Sequence, residues 1–256
     1  MTQKRGQKPI GTKSYGSIGH LPGSRMGTND SQCHEGQKRI ATLQARDRHD
    51  CIYVQEKLDG SNVGVARIDG AIFPLTRAGY LADTSPYEQH WRFAQWVYTQ
   101  QYRFLAVLQD GERLCGEWLL QAHGTRYYNL PHEPFVVFDL MVKMERATLN
   151  DLTERVRDYG FVLPRLLSSA PPFSIEQALK AITTSGHGAI DPVEGAVWRV
   201  ERNELIAPSR GGDRAPKVDF LVKYVRPDKV DGCFLPGVNG NTQPLWNIDP
   251  VKLFSG

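Results

Sequence analysis

Cysteine is scarce in this 256-residue chain: Cys33, Cys51, Cys115 and Cys233 lie far apart, with no CxxC among them. That spacing offers no zinc site and does not resemble a disulfide framework. Nowhere do eighteen apolar residues run together, so no membrane-spanning helix is expected. The basic start, MTQKRGQKPIGTKS, has no apolar run behind it and so lacks the form of a secretory signal. A soluble, cytoplasmic protein is the expectation. Charge of one sign is also lacking: the net charge is only +3, too dilute to hold a phosphate backbone by bulk attraction. An anionic partner would have to be met in a local groove.

Several signatures of phosphate and acyl chemistry are missing as well. There is no GxxxxGK[ST], no GxGxxG opening a helix after a strand, no GxSxG and no HExxH. A P-loop, a Rossmann dinucleotide site, a hydrolase elbow and a zincin centre are thereby set aside. The seven histidines are scattered without an i, i+4 pair, and His34, His49, His90, His132 and His187 read as solvated or loop residues.

What is present is an ordinary globular composition, 40% hydrophobic and 23% charged, with room for one large or two small domains. Residues 1–37, rich in Gly, Ser, Lys and Pro, read as a basic, extended or partly disordered arm containing SYGSIGHLPGSR (14–25). Residues 38–232 read as the main domain and 233–256 as a tail of mostly loop. CIYVQEKL and NVGVARI have strand texture, and IDGA (68–71) is a hairpin turn before IFPLTR. Ser85 with Glu88 suggests a capping box opening one helix to Leu108, with Trp91, Ala94, Trp96, Val97 and Phe104 on its apolar face. RLCGEWLL and FVVFDLMV are further strands. Thr148–Tyr159, stopped by Gly160, and Ser174–Thr183 read as helices. GAVWRVE and FLVKYV are the last strands, separated by polar sequence over Pro208–Lys217. Short antiparallel-looking strands interleaved with a few helices predict an α+β fold.

Five of these strand-like segments carry polar residues where a bland core strand would not: EKLDG (56–60), CGEWL (115–119), FVVFD (135–139), VEGAVWR (193–199) and FLVKYVR (220–226). Lysine is almost never fully buried unless paired, and its amine becomes a nucleophile once its pKa is lowered. Lys57, at the end of an apolar strand, is therefore the first candidate for chemistry.

In order and character the five segments resemble the motifs of the covalent lysine nucleotidyltransferases, the polynucleotide ligases and capping enzymes. With SYGSIGHLPGSR, LTRAGYLADTSPYEQ and GEWLLQAHGTRYYNLP, the chain from about residue 14 to 229 is similar to the phage-type ATP-dependent RNA ligases. The resemblance implies an α+β fold of mixed, mostly antiparallel sheets, an ATP-grasp-like ligase core with flanking helices and no OB-fold. It implies ATP and Mg²⁺ or Mn²⁺ as cofactors and RNA with 5′-phosphate and 3′-hydroxyl ends as partner, with Lys57 carrying AMP. Lys223 would be the cation that lowers the Lys57 pKa and meets the α-phosphate. Glu117 and Glu194 would hold the metal, its waters or the ribose; Phe138 would stack on adenine, with Phe135 on the opposite strand face. Glu56, Asp59, Gly60, Asn62 and Arg77 complete the implied nucleotide-binding and sealing set, with Ser24 and Arg25 near phosphate. Asp59–Gly60 is also turn chemistry in its own right.

The sequence departs from the family in two places. Its last motif usually has two lysines one residue apart; LVKYV has Lys223 alone, with Leu221 or Val225 in the partner position and Lys217 or Arg226 as substitutes. After Lys223 only 33 residues follow (256 − 223), too few for an appended OB-fold. A lone nucleotidyltransferase domain is expected, its RNA contacts drawn from the core groove and from Lys4, Arg5, Lys8 and Lys13, with a partner protein as a further source of grip. Three rival readings stand beside the RNA ligase: a DNA ligase, a GTP-using capping enzyme and an inactive nucleotide- or RNA-binding homologue.

Overall fold

A computed structural model describes residues 6–128, 130–205 and 214–254. Alternating apolar positions on β2 (Asp50–Lys57), β9 (Gly195–Leu205) and β10 (Arg214–Val225) place Ile52, Val54, Trp198, Val200 and Val222 on one face. With β1 (Gly19–His20) and β8 (Leu166–Ala170) these strands form a five-stranded sheet in the order β1-β10-β9-β2-β8. Only the β1–β10 pair is parallel; the other pairs are antiparallel. Ala41 of α1 (Glu35–Thr42) and Ala178 of α5 (Ile175–Ala181) pack against that apolar face.

The second sheet runs β4-β3-β5-β6-β7, antiparallel throughout. It joins β3 (Ser61–Ile68), β4 (Ala71–Thr76), β5 (Glu112–Trp118), β6 (Phe135–Val142) and β7 (Glu145–Arg146). Asp69 and Gly70, both at positive φ, close the β3–β4 hairpin in the manner of an Asp-Gly turn. The larger core lies between this sheet and α2 (Glu88–Thr99), α3 (Gln101–Val107) and α4 (Leu149–Val156). Its centre is a cluster of Phe93, Trp96, Phe104, Trp118 and Phe135, rings 5.2–6.5 Å apart. Each favourably oriented pair adds about 0.5–1.5 kcal/mol beyond its area burial.

Several expectations hold and others need correction. The molecule is α+β with mostly antiparallel pairing. Gly160 ends the α4 segment in a left-handed conformation, and Ser174 with Gln177 forms a capping box. The expected helix 85–108 is instead α2 and α3, broken at Gln100. Ser85 is not its cap, because the helix begins only at Glu88 after Tyr87, and the Ser85 hydroxyl meets His90 Nδ1 and accepts from the Tyr87 N–H instead. Trp91 is 49% exposed and not on the apolar face. Helix α1 and strand β8 went unforeseen, since neither has a strong apolar period. The described part of the arm is not free: Ser14, Tyr15, His20 and Leu21 are buried, and β1 adds a strand to β10. The tail packs too, with Trp246, Ile248, Leu253 and Phe254 against the larger core. Lys4, Arg5 and most of the 208–217 connection lie outside the described residues. Among the described residues no helix is long and apolar enough to cross a membrane.

Candidate active site

The two sheets face each other across a cleft of about 1210 Å³, and the polar strand residues converge there. Lys57 is the last residue of β2, where the chain turns toward β3 and the second sheet. Gly60 makes that turn possible: a Cβ there would stand 2.6 Å from the Trp118 carbonyl oxygen. The Gly60 N–H donates to Glu117 Oε1 at 3.0 Å, tying the turn to β5. Glu194 precedes β9 and accepts from Lys57 Nζ at 2.5 Å. Lys223 enters from β10.

Electrostatics define the resting state. Burial works against the Lys57 ammonium, yet Glu194, Glu117 and Asp59 outweigh it and hold its pKa above the ordinary lysine value. The Glu117 carboxyl is pushed up to about 7 by burial, against the pull of Lys57 and with the push of Glu194. Lys223 is shifted the other way, lowered first by burial and then by Lys57. Two carboxylates crowded into one cleft call for a cation, and in this state the Lys57 ammonium supplies it. A divalent ion suits the same oxygens. Among the described residues no cluster of three His, Cys, Asp or Glu side chains comes together. Glu117 and Glu194 are the carboxylates that could take an Mg²⁺-like ion, a cation that keeps several of its waters.

The other candidates divide into those facing the cleft and those anchoring it. Phe138 faces it by alternation with Phe135 and Val137, and a bulge, where β6 skips a partner between Cys115↔Asp139 and Gly116↔Val137, turns Asp139 to the same side. Phe138 and Asp139 thus both line the cleft, while Val137 and Leu140 on either side join the core. Phe135 is core, as the strand alternation predicts. Tyr15 packs edge-on against Phe138 at 5.0 Å and donates to Asp139 Oδ2 at 2.6 Å. Asn62 lines the cleft with its buried Oδ1 unbonded, and Arg77 lies exposed on the rim, donating to Ser17.

Asp59 and Glu56 line the cleft but spend their carboxylates on the scaffold. Asp59 Oδ2 accepts from Gly124 N–H and Thr125 Oγ1, with Lys229 Nζ at 3.7 Å. Glu56 accepts from Ser185 Oγ and the Gly186 N–H. Ser24 accepts from the Val225 N–H, and Arg25 pairs with Asp231 at 2.5 Å; neither side chain reaches the cleft.

Lys217 is a correction. It sits six residues from Lys223 along β10, about 20 Å in an extended strand. There it is 65% exposed and paired with Glu204, outside the cleft. Arg226 pairs with Asp228 and does not line it either. The described lysines and arginines lining the cleft are Lys57, Arg77, Arg199 and Lys223. Lys223→Ala is accordingly expected to slow any reaction at Lys57 by at least tenfold, and Lys217→Ala to leave it unchanged; single-turnover rates compare them.

Sequence reasoning missed the groups that position these side chains. His20, in register with Lys223, and Asp30 form a small network: Asp30 lies 3.2 Å from His20 Nε2 and 3.6 Å from Lys223 Nζ. Arg199 and Asp139, both buried, pair across the two sheets, and Arg146 Nε reaches Asp139 at 3.1 Å. The quoted strands contained both partners, but nothing in them announced the pairing. The histidine reading fails at His90, which is on α2, while His187 is a loop residue as expected but buried. His90 lines the cleft between Ser61 and Ser85, and buried His187 meets His132 at 2.8 Å.

A buried lysine paired with a carboxylate, a second carboxylate, a second lysine and an aromatic ring, drawn from both sheets, thus meet in one cleft. The chain belongs to the RNA ligase family, whose model matches residues 50–225, from the start of β2 to the end of β10. No curated protein matches it. Solved structures that it resembles include a putative ATP-dependent DNA ligase from Aquifex aeolicus, at 18% identity over 84% of this chain and 54% of that one, TM-score 0.47. An archaeal ATP-dependent RNA ligase is 21% identical over 69% of this chain and 43% of its own, TM-score 0.41. A variant of the Naegleria gruberi RNA ligase with ATP and Mn is 19% identical over 84% and 61%, TM-score 0.43. The chain thus spans about half the length of the structures it matches.

Proposed function

We propose that this protein is an ATP-dependent RNA ligase, with Lys57 as the residue that carries AMP. The observation that supports it most is the convergence of Lys57, Glu117, Phe138, Glu194 and Lys223 from separate strands on one cleft. In the first step the neutral Lys57 amine attacks the α-phosphorus of ATP. An N–P bond forms, the bond to the bridging oxygen breaks, pyrophosphate leaves and the amine loses its proton. In the second, an oxygen of the RNA 5′-phosphate attacks the same phosphorus, the N–P bond breaks and Lys57 regains a proton. In the third, a 3′-hydroxyl attacks the activated 5′-phosphorus, AMP departs and a phosphodiester remains.

Transfers of this kind are mainly positioning and electrostatics. Phe138 would stack on the base and Lys223 would meet the α-phosphate, while Glu117 and Glu194 would hold Mg²⁺ or Mn²⁺. The ion supplies a counter-charge for the phosphates. ATP phosphates entering the cleft would separate Lys57 from Glu194, and the amine would then lose the partner that keeps it protonated. The Lys57–Glu194 pair is a resting state that ATP opens.

A pH consequence follows. Modification of Lys57 by an amine-directed reagent, without ATP, should rise steeply only on the alkaline side of the ordinary lysine range, because the carboxylates hold its pKa high. In Glu194→Gln the strongest of those carboxylates is neutral, so the profile should move to lower pH. Peptide mapping across a pH series reads the shift; an unmoved profile contradicts this role for Glu194. For the function itself, sealing of a 5′-phosphorylated RNA nick that depends on ATP is the test, and folded protein that seals no RNA ends, whether or not it seals DNA, would overturn it.

A further inference from the structure

The outer face of α2 and α3 carries aromatic rings that the core does not use. Tyr87, the N-cap of α2, is 63% exposed, Trp91 49%, Tyr98 42%, and Tyr102 on α3 67%. Trp91 and Tyr98, seven residues apart, share one face of α2, with Tyr87 at its cap before them and Tyr102 on α3 just past the break at Gln100. From Tyr87 to Tyr98 the face runs about 16 Å at 1.5 Å per residue. Tyr80, 41% exposed, stands before it, and both Tyr80 and Tyr87 line the mouth of the Lys57 cleft. Five of the seven exposed aromatics among the described residues therefore fall between positions 80 and 102.

Cations gather where this row meets the cleft. Lys8 Nζ lies 4.4 Å from the centre of the Tyr80 ring, and Arg77 is on the same rim. Lys13 follows at the turn that packs on Gly79. Among the described residues none of the three has an acidic partner. Glu88, on the helix, is paired with Arg92 at 3.0 Å; Asp83 is the other carboxylate nearby. Unpaired cations continuous with sequence-tolerant stacking rings are the two components of a single-strand nucleic-acid track. The exposed rings are all Tyr or Trp, with no aliphatic side chain among them, which suits base stacking better than burial against a protein.

We infer that α2 and α3 hold an unpaired stretch of the RNA substrate, its bases stacked on Tyr87, Trp91, Tyr98 and Tyr102 and its backbone led past Lys8, Lys13 and Arg77 into the cleft. The inference rests on the RNA ligase reading and names what that reading leaves open, a substrate with a single-stranded flank. At about 3.4 Å per nucleotide, the α2 face accommodates roughly five stacked bases.

The test compares wild type with Trp91→Ala/Tyr98→Ala and with Trp91→Phe/Tyr98→Phe. Each is titrated with a fluorescent single-stranded RNA and with a blunt RNA duplex, and separately assayed for the ATP-derived Lys57 adduct. The alanine pair should lose at least tenfold in affinity for the single strand only, the phenylalanine pair should recover it, and adduct formation should be unchanged in both. Equal affinity in all three proteins would overturn the inference. So would an equal loss on the duplex, or a change in sedimentation showing that the rings hold a second copy of the chain. Absence of the adduct from wild type would instead count against Lys57 chemistry, while the RNA titrations still decide the track.

Discussion

Lys57→Arg is expected to fold as wild type does and to seal no detectable RNA. Arginine keeps the positive charge beside Glu194, so the cleft retains its counter-charge and β2 its backbone pairing with β9 and β8. A guanidinium does not become a neutral amine at any working pH, so the covalent step has no nucleophile. Removing such a group typically costs several orders of magnitude, and a loss of at least about 10⁴-fold is the expectation here. Lys57→Ala should be equally inactive for a second reason, since it also leaves Glu117 and Glu194 facing each other. If Lys57→Arg keeps even a tenth of the sealing rate, the nucleophile is another group. Thermal unfolding measured in parallel separates lost chemistry from lost fold.

The second large effect is on stability. Asp139→Ala should destabilise the protein by about 3–5 kcal/mol, the usual cost of leaving a buried charge without its partner. Asp139 is fully buried and meets Arg199, Arg146 and the Tyr15 hydroxyl. Arg199, on β9 of one sheet, has its guanidinium only 2% exposed and also donates to the Phe138 and Ala147 carbonyl oxygens across the junction. Without Asp139 this cation stays buried with only Glu201, at 3.6 Å, to offset it, and Tyr15 loses its acceptor. Urea unfolding of Asp139→Ala, Arg199→Met and the double variant forms a cycle. The account expects the double variant to be clearly more stable than the sum of the single losses implies. Additive losses would mean that the two sheets are not coupled through this pair. Because Asp139 lies next to Phe138 on the bulge, the weaker variant should also bind ATP less well.

Much of this was legible in the sequence where local chemistry decides. FVVFDLMV is β6 from its first residue to its last, Asp69–Gly70 makes the hairpin, and Ser174 and Gly160 mark helix ends. The site strands were visible because polar residues interrupt apolar runs, and a cleft between sheets is the only place such residues satisfy both tendencies. What stayed hidden depends on partners far away in the chain. The role of Lys217 depended on distance along β10, and in the fold that strand carries it out of the cleft. Asp59 and Glu56 look free in EKLDG, yet loops 65 to 130 residues away claim their oxygens. The arm reads as disordered because its own residues bury little. It is fixed by pairing with β10, the strand that carries Lys223.

The most direct measurement of the central claim is to incubate the wild-type protein with α-labelled ATP and Mg²⁺, denature it, and map the label by peptide mass spectrometry. The account predicts one AMP per chain on the Lys57 peptide, released on addition of 5′-phosphorylated RNA. Folded protein that takes no label with either Mg²⁺ or Mn²⁺, or label that persists in Lys57→Ala, would contradict it.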